Sequence, residues 1–494
     1  MGAVLPVQIQ YLALLAGLGF VLTYCLIPIT RKLAVNYGFV AEPGVRRIHC
    51  DPIPLLGGVA IFAPQVLLFI FFLYSIYCGS LSIDNAETSK ITSLFLGSGL
   101  VFGLGIYDDR INLGWKKKLL GQIAGVGVII LGGHTIGSVD VPFYGPLDFG
   151  PFGYPLLGFI VILVTNAVNL IDGMDGLAGG VCFFAAMTSG VFAVYRHDIV
   201  IASISFTIAG SLLAFLRFNF PPAKIFMGDS GSLTLGFLLS VLAASSFVKA
   251  PGQRYSTLTT LLALFLPFGL ALLDVFLAIA RRWISGRKIF MPDADHIHHR
   301  FMEMFQRPRL VIAIFYIFSA LFCALTLLVT MTPESRVTSI LGAITVIGLI
   351  AVMTVVLKLY RMDRLSNVIK NRHDFRFLSC FNSYMELRLQ RARCHDEILI
   401  LLECGVRDLE FDSVDVRMNG SSPCVWEKTQ KVHPESPRIT GCRSLRNCEI
   451  TINWIIPTHD DRTYQKYLEL VWHRFLNQVE EKNSELSRDK RSDC

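Results

Sequence analysis

Apolar runs long enough to cross a bilayer recur through the first 360 positions and then stop. A membrane-spanning helix needs about 20 mostly apolar residues, because the hydrocarbon is about 30 Å thick. Eleven runs are candidates: about 7–30, 53–78, 92–107, 119–137, 153–168, 177–195, 199–217, 231–248, 257–280, 310–331 and 337–360. Several are short or contain glycine, which membrane helices tolerate. No water is present at that depth to pair backbone groups, so helices are expected rather than open sheet. Past position 360 the pattern changes. Residues 361–394 read as a basic helix, and Tyr464–Glu481 as an amphipathic closing helix. Alternation and β-branching predict strands over Glu397–Cys404, Asp412–Met418 and Cys448–Ile456. The expected fold is an all-α polytopic membrane protein of about eleven transmembrane helices with a small α+β C-terminal cytoplasmic domain.

Composition sharpens the division. Of 494 residues, 53% are hydrophobic and 17% charged, with mean hydropathy +0.52. A soluble protein carries about a quarter charged residues, so an ordinary cytosolic enzyme, a disordered chain and a secreted disulfide scaffold are excluded. Residues 1–360 hold 40 charged side chains and residues 361–494 hold 43, which places a domain boundary near 360. The loops are asymmetric as well. One alternate set carries seventeen Lys and Arg and the other five. The rich side should be cytoplasmic, leaving the N-terminus outside and the tail inside. The first run lacks a basic leader and is followed by Arg31-Lys32, so it reads as an anchor. Seven of the twelve cysteines lie in the tail and no CxxC pair occurs, so neither a zinc ribbon nor a disulfide framework is supported.

The unusual polar residues gather in the loops of the basic side. Arg46-Arg47-Ile48-His49 precedes Pro54 and Gly57-Gly58; Asp108-Asp109 ends the third run, with Lys116, Lys117 and Lys118 after it. The short fifth loop runs from Asn166 through Asn169, Asp172 and Asp175 to Gly176. Phe226-Met-Gly-Asp229-Ser-Gly-Ser232 opens the eighth run, and His296-Ile-His298-His299-Arg300 lies in the ninth loop. Each alone has an ordinary explanation: a solvated helix end, a topology signal, a turn, an Asp N-cap. Three histidines within four residues lack a further zinc ligand nearby. Together, in a chain poor in charge, they ask for a common cause. Crowded carboxylates share protons or neutralise a cation. A hard divalent ion with oxygen ligands, beside lysines and arginines that complement phosphate, suggests phosphoryl transfer at a membrane surface.

These blocks, in this order, resemble the polyprenyl-phosphate N-acetylhexosamine-1-phosphate transferases over roughly residues 10–310. His-Ile-His-His-Arg is similar to the bacterial branch that makes lipid-linked GlcNAc for O-antigen, enterobacterial common antigen or teichoic acid; the peptidoglycan translocases carry three adjacent histidines instead. The resemblance implies transfer of HexNAc-1-phosphate, most simply GlcNAc-1-phosphate, from UDP-HexNAc to undecaprenyl phosphate, with release of UMP. It implies Mg2+ (or Mn2+) held by Asp229 with Asn169 and Asp172. It gives Asp108 the lipid-phosphate proton or its positioning, Asp109 a supporting place and Lys118 phosphate charge. Asp175 and Phe226 would meet uracil, and His296, His298, His299 and Arg300 the sugar–diphosphate end. The acceptor's tail would lie in a groove bordered by the fifth and ninth helices. The setting implied is a bacterial inner (plasma) membrane, with membrane lipid as a partner, no nucleic acid, and a homodimer as an open assembly.

Two other classes stand beside this one. Peptidoglycan translocase activity is the alternative within the family. A transporter is the alternative outside it, but carriers place their coupling charges near the midplane, where Asp274 is almost alone here. The resemblance does not reach the tail, for which a regulatory or docking role and a simple packing appendage are both open.

Overall fold

The computed structural model describes residues 4–41, 53–79, 83–111, 113–141, 145–247, 265–284, 301–302 and 304–331. It also describes 344, 347–348, 372–392, 395–409, 413–418, 424–427, 438–445, 450–457 and 468–482. The chain divides into two compact units, residues 1–278 with 293–357, and residues 279–292 with 358–494.

In the first unit the helices are α1 (Val4–Asn36), α2 (Gly57–Tyr77), α3 (Asn85–Ile111) and α4 (Trp115–Leu131). They continue as α5 (Gly153–Ile171), α6 (Leu177–Tyr195), α7 (Ile199–Asn219), α8 (Gly228–Phe247), α9 (Gly269–Ile284, of which residues up to 278 belong to this unit) and α10 (Pro308–Met331). Among the described residues seven helices are long and apolar enough to cross a membrane: α1, α2, α3, α5, α6, α7 and α10. The protein is a polytopic helical membrane protein. Most of the run at 337–360 and all of 257–264 lie outside the described residues.

The order of burial explains the arrangement. α8 packs against α2, α3, α5 and α6, and nearly every side chain from Gly228 to Ala244 is buried. A helix apolar all round belongs in the centre of a bundle. Its Ser232 and Thr234 hydroxyls donate back to the carbonyls of Gly228 and Ser230, at 3.1 and 2.6 Å, so these two buried hydroxyls are paired. Close approach matters at two glycines. A Cβ on Gly58 of α2 would overlap the backbone of Gly231, and one on Gly105 of α3 would lie 2.5 Å from Ser230 Cα. Only glycine lets α2 and α3 press their backbones onto the first turn of α8. Two short antiparallel pairs complete this unit: β1 (Val40–Ala41) with β2 (Ile53–Pro54), and β3 (Ser138–Val141) with β4 (Gly145–Asp148).

The second unit contains α11 (Arg372–Arg391), α12 (His395–Asp408) and a helix over 468–482. Phe381, Met385, Leu402, Trp472 and Phe475 form their core. Strands β5 (Ser413–Met418), β6 (Cys424–Glu427), β7 (Arg438–Leu445) and β8 (Ile450–Pro457) form an antiparallel sheet in the order β6-β5-β8-β7. The strand expected at Glu397–Cys404 is a correction: those residues belong to α12. The Ile-Leu-Ile-Leu-Leu run hides the period, but the buried positions Ile398, Leu401, Leu402 and Leu409 share one face of a helix. Strands β6 and β7 were not among the sequence expectations.

Candidate active site

The site lies where α3, α5 and α7 end and α8 and α10 begin. A cavity of about 1160 Å³ opens there, walled by Asp108, Asp109, Lys118, Asp172, Asp175, Phe226 and Asp229 among others.

Its centre is one ammonium between two carboxylates. Lys118 Nζ, on the first turn of α4, pairs with Asp108 Oδ2 and, at 2.5 Å, with Asp229 Oδ2. Asp108, 3% exposed at the end of α3, also accepts the backbone N–H of Leu113 at 2.5 Å, which closes the α3–α4 turn. Asp229 Oδ1 accepts from Asn169 Nδ2 at 2.8 Å, and the same amide group donates to Ser232 Oγ at 2.9 Å. Five side chains from three stretches of sequence are thus joined. Asn166, at the start of the Asn166–Gly176 stretch, is not joined to them: it exchanges hydrogen bonds with Gln122, one turn beyond Lys118, and so ties α5 to α4.

Asp109 does something else. Its two oxygens accept the backbone N–H groups of Asp229 (2.7 Å) and Ser230 (3.1 Å). A helix begins with backbone donors that have no partner in the helix, and a carboxylate is a good acceptor for them. Here the cap comes from a different helix. Asp109 therefore positions Asp229.

The loops around the centre are held by further backbone and side-chain bonds. Gly57 and Gly58 N–H donate to the carbonyls of Phe226 (3.0 Å) and Met227 (2.9 Å), and Phe226 N–H donates to Pro54 (2.8 Å). This fixes the half-buried Phe226 ring on the cavity wall. Asp175 Oδ2 accepts Ala223 N–H at 2.9 Å. Asn219, 3% exposed, accepts Gly176 N–H and donates to the Ile225 carbonyl, both at 2.8 Å. Tyr316 of α10 donates its hydroxyl to the Gly176 carbonyl at 2.8 Å.

Asp172 stands just past the last residue of α5, half-buried on the cavity wall. Burial first, and then the charges of Asp229, Asp109 and Asp175, push its carboxyl well above the usual carboxylate range. Among the described residues no three His, Cys, Asp or Glu side chains are grouped to hold a metal ion. His296, His298, His299 and Arg300 lie outside the described residues. Sequence reading missed Asn219, Gln306, Arg307 and Arg309 as parts of the site. The two arginines counted only toward loop charge, and a lone Asn at a helix end carries no signal until its two partners are seen.

The family model described as Glycosyl transferase family 4 matches residues 91–247. A probable undecaprenyl-phosphate N-acetylglucosaminyl 1-phosphate transferase of Bacillus subtilis is 33% identical over 299 residues, 60% of this chain and 78% of the relative. A decaprenyl-phosphate N-acetylglucosaminephosphotransferase of Mycobacterium tuberculosis is 32% identical over 362 residues, 69% of this chain and 88% of the relative. A phospho-N-acetylmuramoyl-pentapeptide-transferase of Clostridium perfringens is 32% identical over 313 residues, 60% and 90% of the two chains.

Proposed function

The chain belongs to the polyprenyl-phosphate N-acetylhexosamine-1-phosphate transferase family, and on that premise we propose that it transfers GlcNAc-1-phosphate from UDP-GlcNAc to undecaprenyl phosphate and releases UMP. The reaction begins a lipid-linked cell-surface glycan. It takes place at the cytoplasmic face of a bacterial inner membrane, on a body of eleven spans with the N-terminus outside. The single observation that carries the reading is the Lys118 ammonium gripped by Asp108 and Asp229 on the wall of one large cavity.

A phosphate oxygen of the acceptor attacks the sugar-bearing phosphorus of the donor, and the bond to the UMP oxygen breaks. Such transfer depends on positioning and charge neutralisation more than on a protein nucleophile. Asp108 receives or directs the acceptor's proton; its Oδ2 is already the shared atom of the Lys118 pair. Lys118 meets the negative charge of the transferring phosphoryl group. Asp175 and Phe226 lie on the wall where a base can be hydrogen-bonded and stacked.

The donor set fits magnesium. Among the described residues on the cavity wall the ligands on offer are oxygens, and the protein's own cation already stands between two carboxylates. Magnesium takes one or two carboxylates and leaves its other positions to water and substrate phosphate, so a three-carboxylate cage is not required. Asp229 and Asp172 would hold it, with the Asn169 amide oxygen beside them, since the Asn169 nitrogen makes both hydrogen bonds. When bound, the ion polarises the diphosphate and offsets charge on the leaving UMP.

The test is a radiolabel transfer assay with purified protein, magnesium and undecaprenyl phosphate, offered UDP-GlcNAc, UDP-GalNAc and UDP-MurNAc-pentapeptide in turn. Label should enter the lipid from UDP-GlcNAc. Transfer from the pentapeptide donor alone would mean a peptidoglycan translocase, and no transfer from any donor would remove the enzyme reading. Asp229→Ala should lower turnover by a factor of about 10² or more and abolish the response to magnesium. Full activity in that variant would remove the metal assignment.

A further inference from the structure

Asp175 and Phe226 face one cavity from two separate loops. Asp175 stands just before Gly176 at the head of α6, and Phe226 just after Ile225, beyond the end of α7. The whole of α6 and α7 lies between them in the chain, so covalent geometry does not set their spacing. Hydrogen bonds do. Gly176 N–H donates to Asn219 Oδ1 and Asn219 Nδ2 donates to the Ile225 carbonyl, both at 2.8 Å, while Asp175 Oδ2 accepts Ala223 N–H at 2.9 Å. These bonds join the two loops to each other. A third element, α10, holds them from outside. The Tyr316 hydroxyl donates to the Gly176 carbonyl at 2.8 Å, and Arg309 Nε to the Pro221 carbonyl at 3.2 Å.

The half-buried Tyr316 has a shaped seat on α6. Gly176, Gly180 and Phe184 follow one another at intervals of four, on one face of the helix. A Cβ on Gly180 would overlap the Tyr316 ring, and Phe184 meets that ring edge-on with centroids 5.8 Å apart. Gly176 has φ 77°, in the left-handed region that glycine adopts freely. Its carbonyl already accepts the Gly180 N–H at 3.0 Å, the first bond of α6. A carbonyl oxygen has a second lone pair, and Tyr316 takes it. The helix therefore starts without the hydroxyl, and a phenylalanine would fill the same seat. What the hydroxyl adds is a fixed position for the Asp175–Gly176 turn. That position matters for a ligand held between an edge group and a ring, because a shift of about 1 Å takes a hydrogen bond out of range.

We propose that Tyr316 is a positioning residue for donor recognition, holding the Asp175–Gly176 turn at the spacing from Phe226 that suits uracil. It is not on the cavity wall and acts through Gly176. The assignment rests on the UDP-sugar donor of the proposed function, but its first test needs no turnover.

Purified full-length protein in detergent is titrated calorimetrically with UMP and with CMP. Tyr316→Phe removes the hydroxyl alone and should weaken UMP about three- to tenfold, the worth of one hydrogen bond. CMP should lose less, so that the preference for uracil narrows. In the transfer assay KM for UDP-GlcNAc should rise by a similar factor, while kcat, KM for undecaprenyl phosphate and the melting temperature stay near the parent's. Tyr195→Phe, at an exposed tyrosine on the far end of α6, should change none of these. Gly180→Ala pushes the Tyr316 ring aside and should reproduce the loss for the donor by a second route. Unchanged UMP affinity in Tyr316→Phe overturns the assignment and leaves the proposed function intact, and so does an equal rise of KM for donor and lipid. No transfer, with UMP binding that still depends on Tyr316, would sink the proposed function and leave the tyrosine's role standing. A parent protein that binds no UMP would overturn both.

Discussion

Asp108 and Asp109 are neighbours in sequence with different tasks, and the difference is one of hydrogen bonds. Asp108 shares Lys118 with Asp229, whereas both oxygens of Asp109 are engaged by the first turn of α8. Asp109→Asn turns one acceptor into a donor that faces an N–H. The variant should lose about 1–2 kcal/mol of stability, the usual worth of a cap, along with activity; thermal unfolding measures the first. A fully stable but inactive Asp109→Asn protein would argue that Asp109 acts on substrate. Asp172 gives a pH signature. The unfolded chain ionises near the ordinary value of 3.8, while the folded carboxyl holds its proton to higher pH. Between those two values the unfolded state sheds a proton that the folded state retains, so stability falls as pH rises. Asp172→Asn should therefore stabilise the ligand-free protein by an increment that grows from pH 4 upward, at the expense of transfer. Melting curves across pH decide it, and a pH-independent increment would contradict the assignment.

At the scale of elements, the site is a by-product of how closely three helices meet. α2 and α3 touch the backbone of α8 at Gly58 and Gly105, and this contact brings Asp109 to the α8 N-terminus and Asp108 to Lys118. Gly58→Ala adds one methyl group against the backbone of Gly231, which has no flexible end to move aside. It should cost about 1–3 kcal/mol as overpacking and lower turnover although residue 58 carries no chemistry. Retained stability and activity would show that the contact gives way. The ends of α3 and α8 far from the site are pinned differently: the His134 ring bonds the Lys90 carbonyl at 3.0 Å and Ser245 at 3.3 Å, joining α3, α4 and α8.

Taken whole, the molecule keeps the cavity, the aspartates and Lys118 within the unit formed by residues 1–278 and 293–357. The second unit has its own core of Phe381, Trp472 and Phe475. If the tail is an accessory domain, deletion of residues 370–494 should leave transfer in detergent within about twofold of the parent, since chemistry needs only the positioned groups of the first unit. A folded truncation without activity would give the tail a part in catalysis.

The repeating apolar runs made the polytopic helical body legible, because a bilayer demands about 20 apolar residues of any span. Asp108, Lys118, Asn169, Asp172 and Asp229 were legible too, as polar residues standing out against that background. Their division of labour was not. Whether a carboxylate grips Lys118, caps a helix or faces a cavity depends on partners more than a hundred residues away, as Asp109 and Asp229 show. The helix at His395–Asp408 escaped for a related reason: an unbroken aliphatic run shows no period until a core selects which of its faces is buried. The chain thus determined by itself which segments must leave water and which residues were too polar to go with them. Only tertiary packing decided which of those residues meet, because hydrogen bonds and ion pairs form between atoms close in space, wherever the chain has placed them.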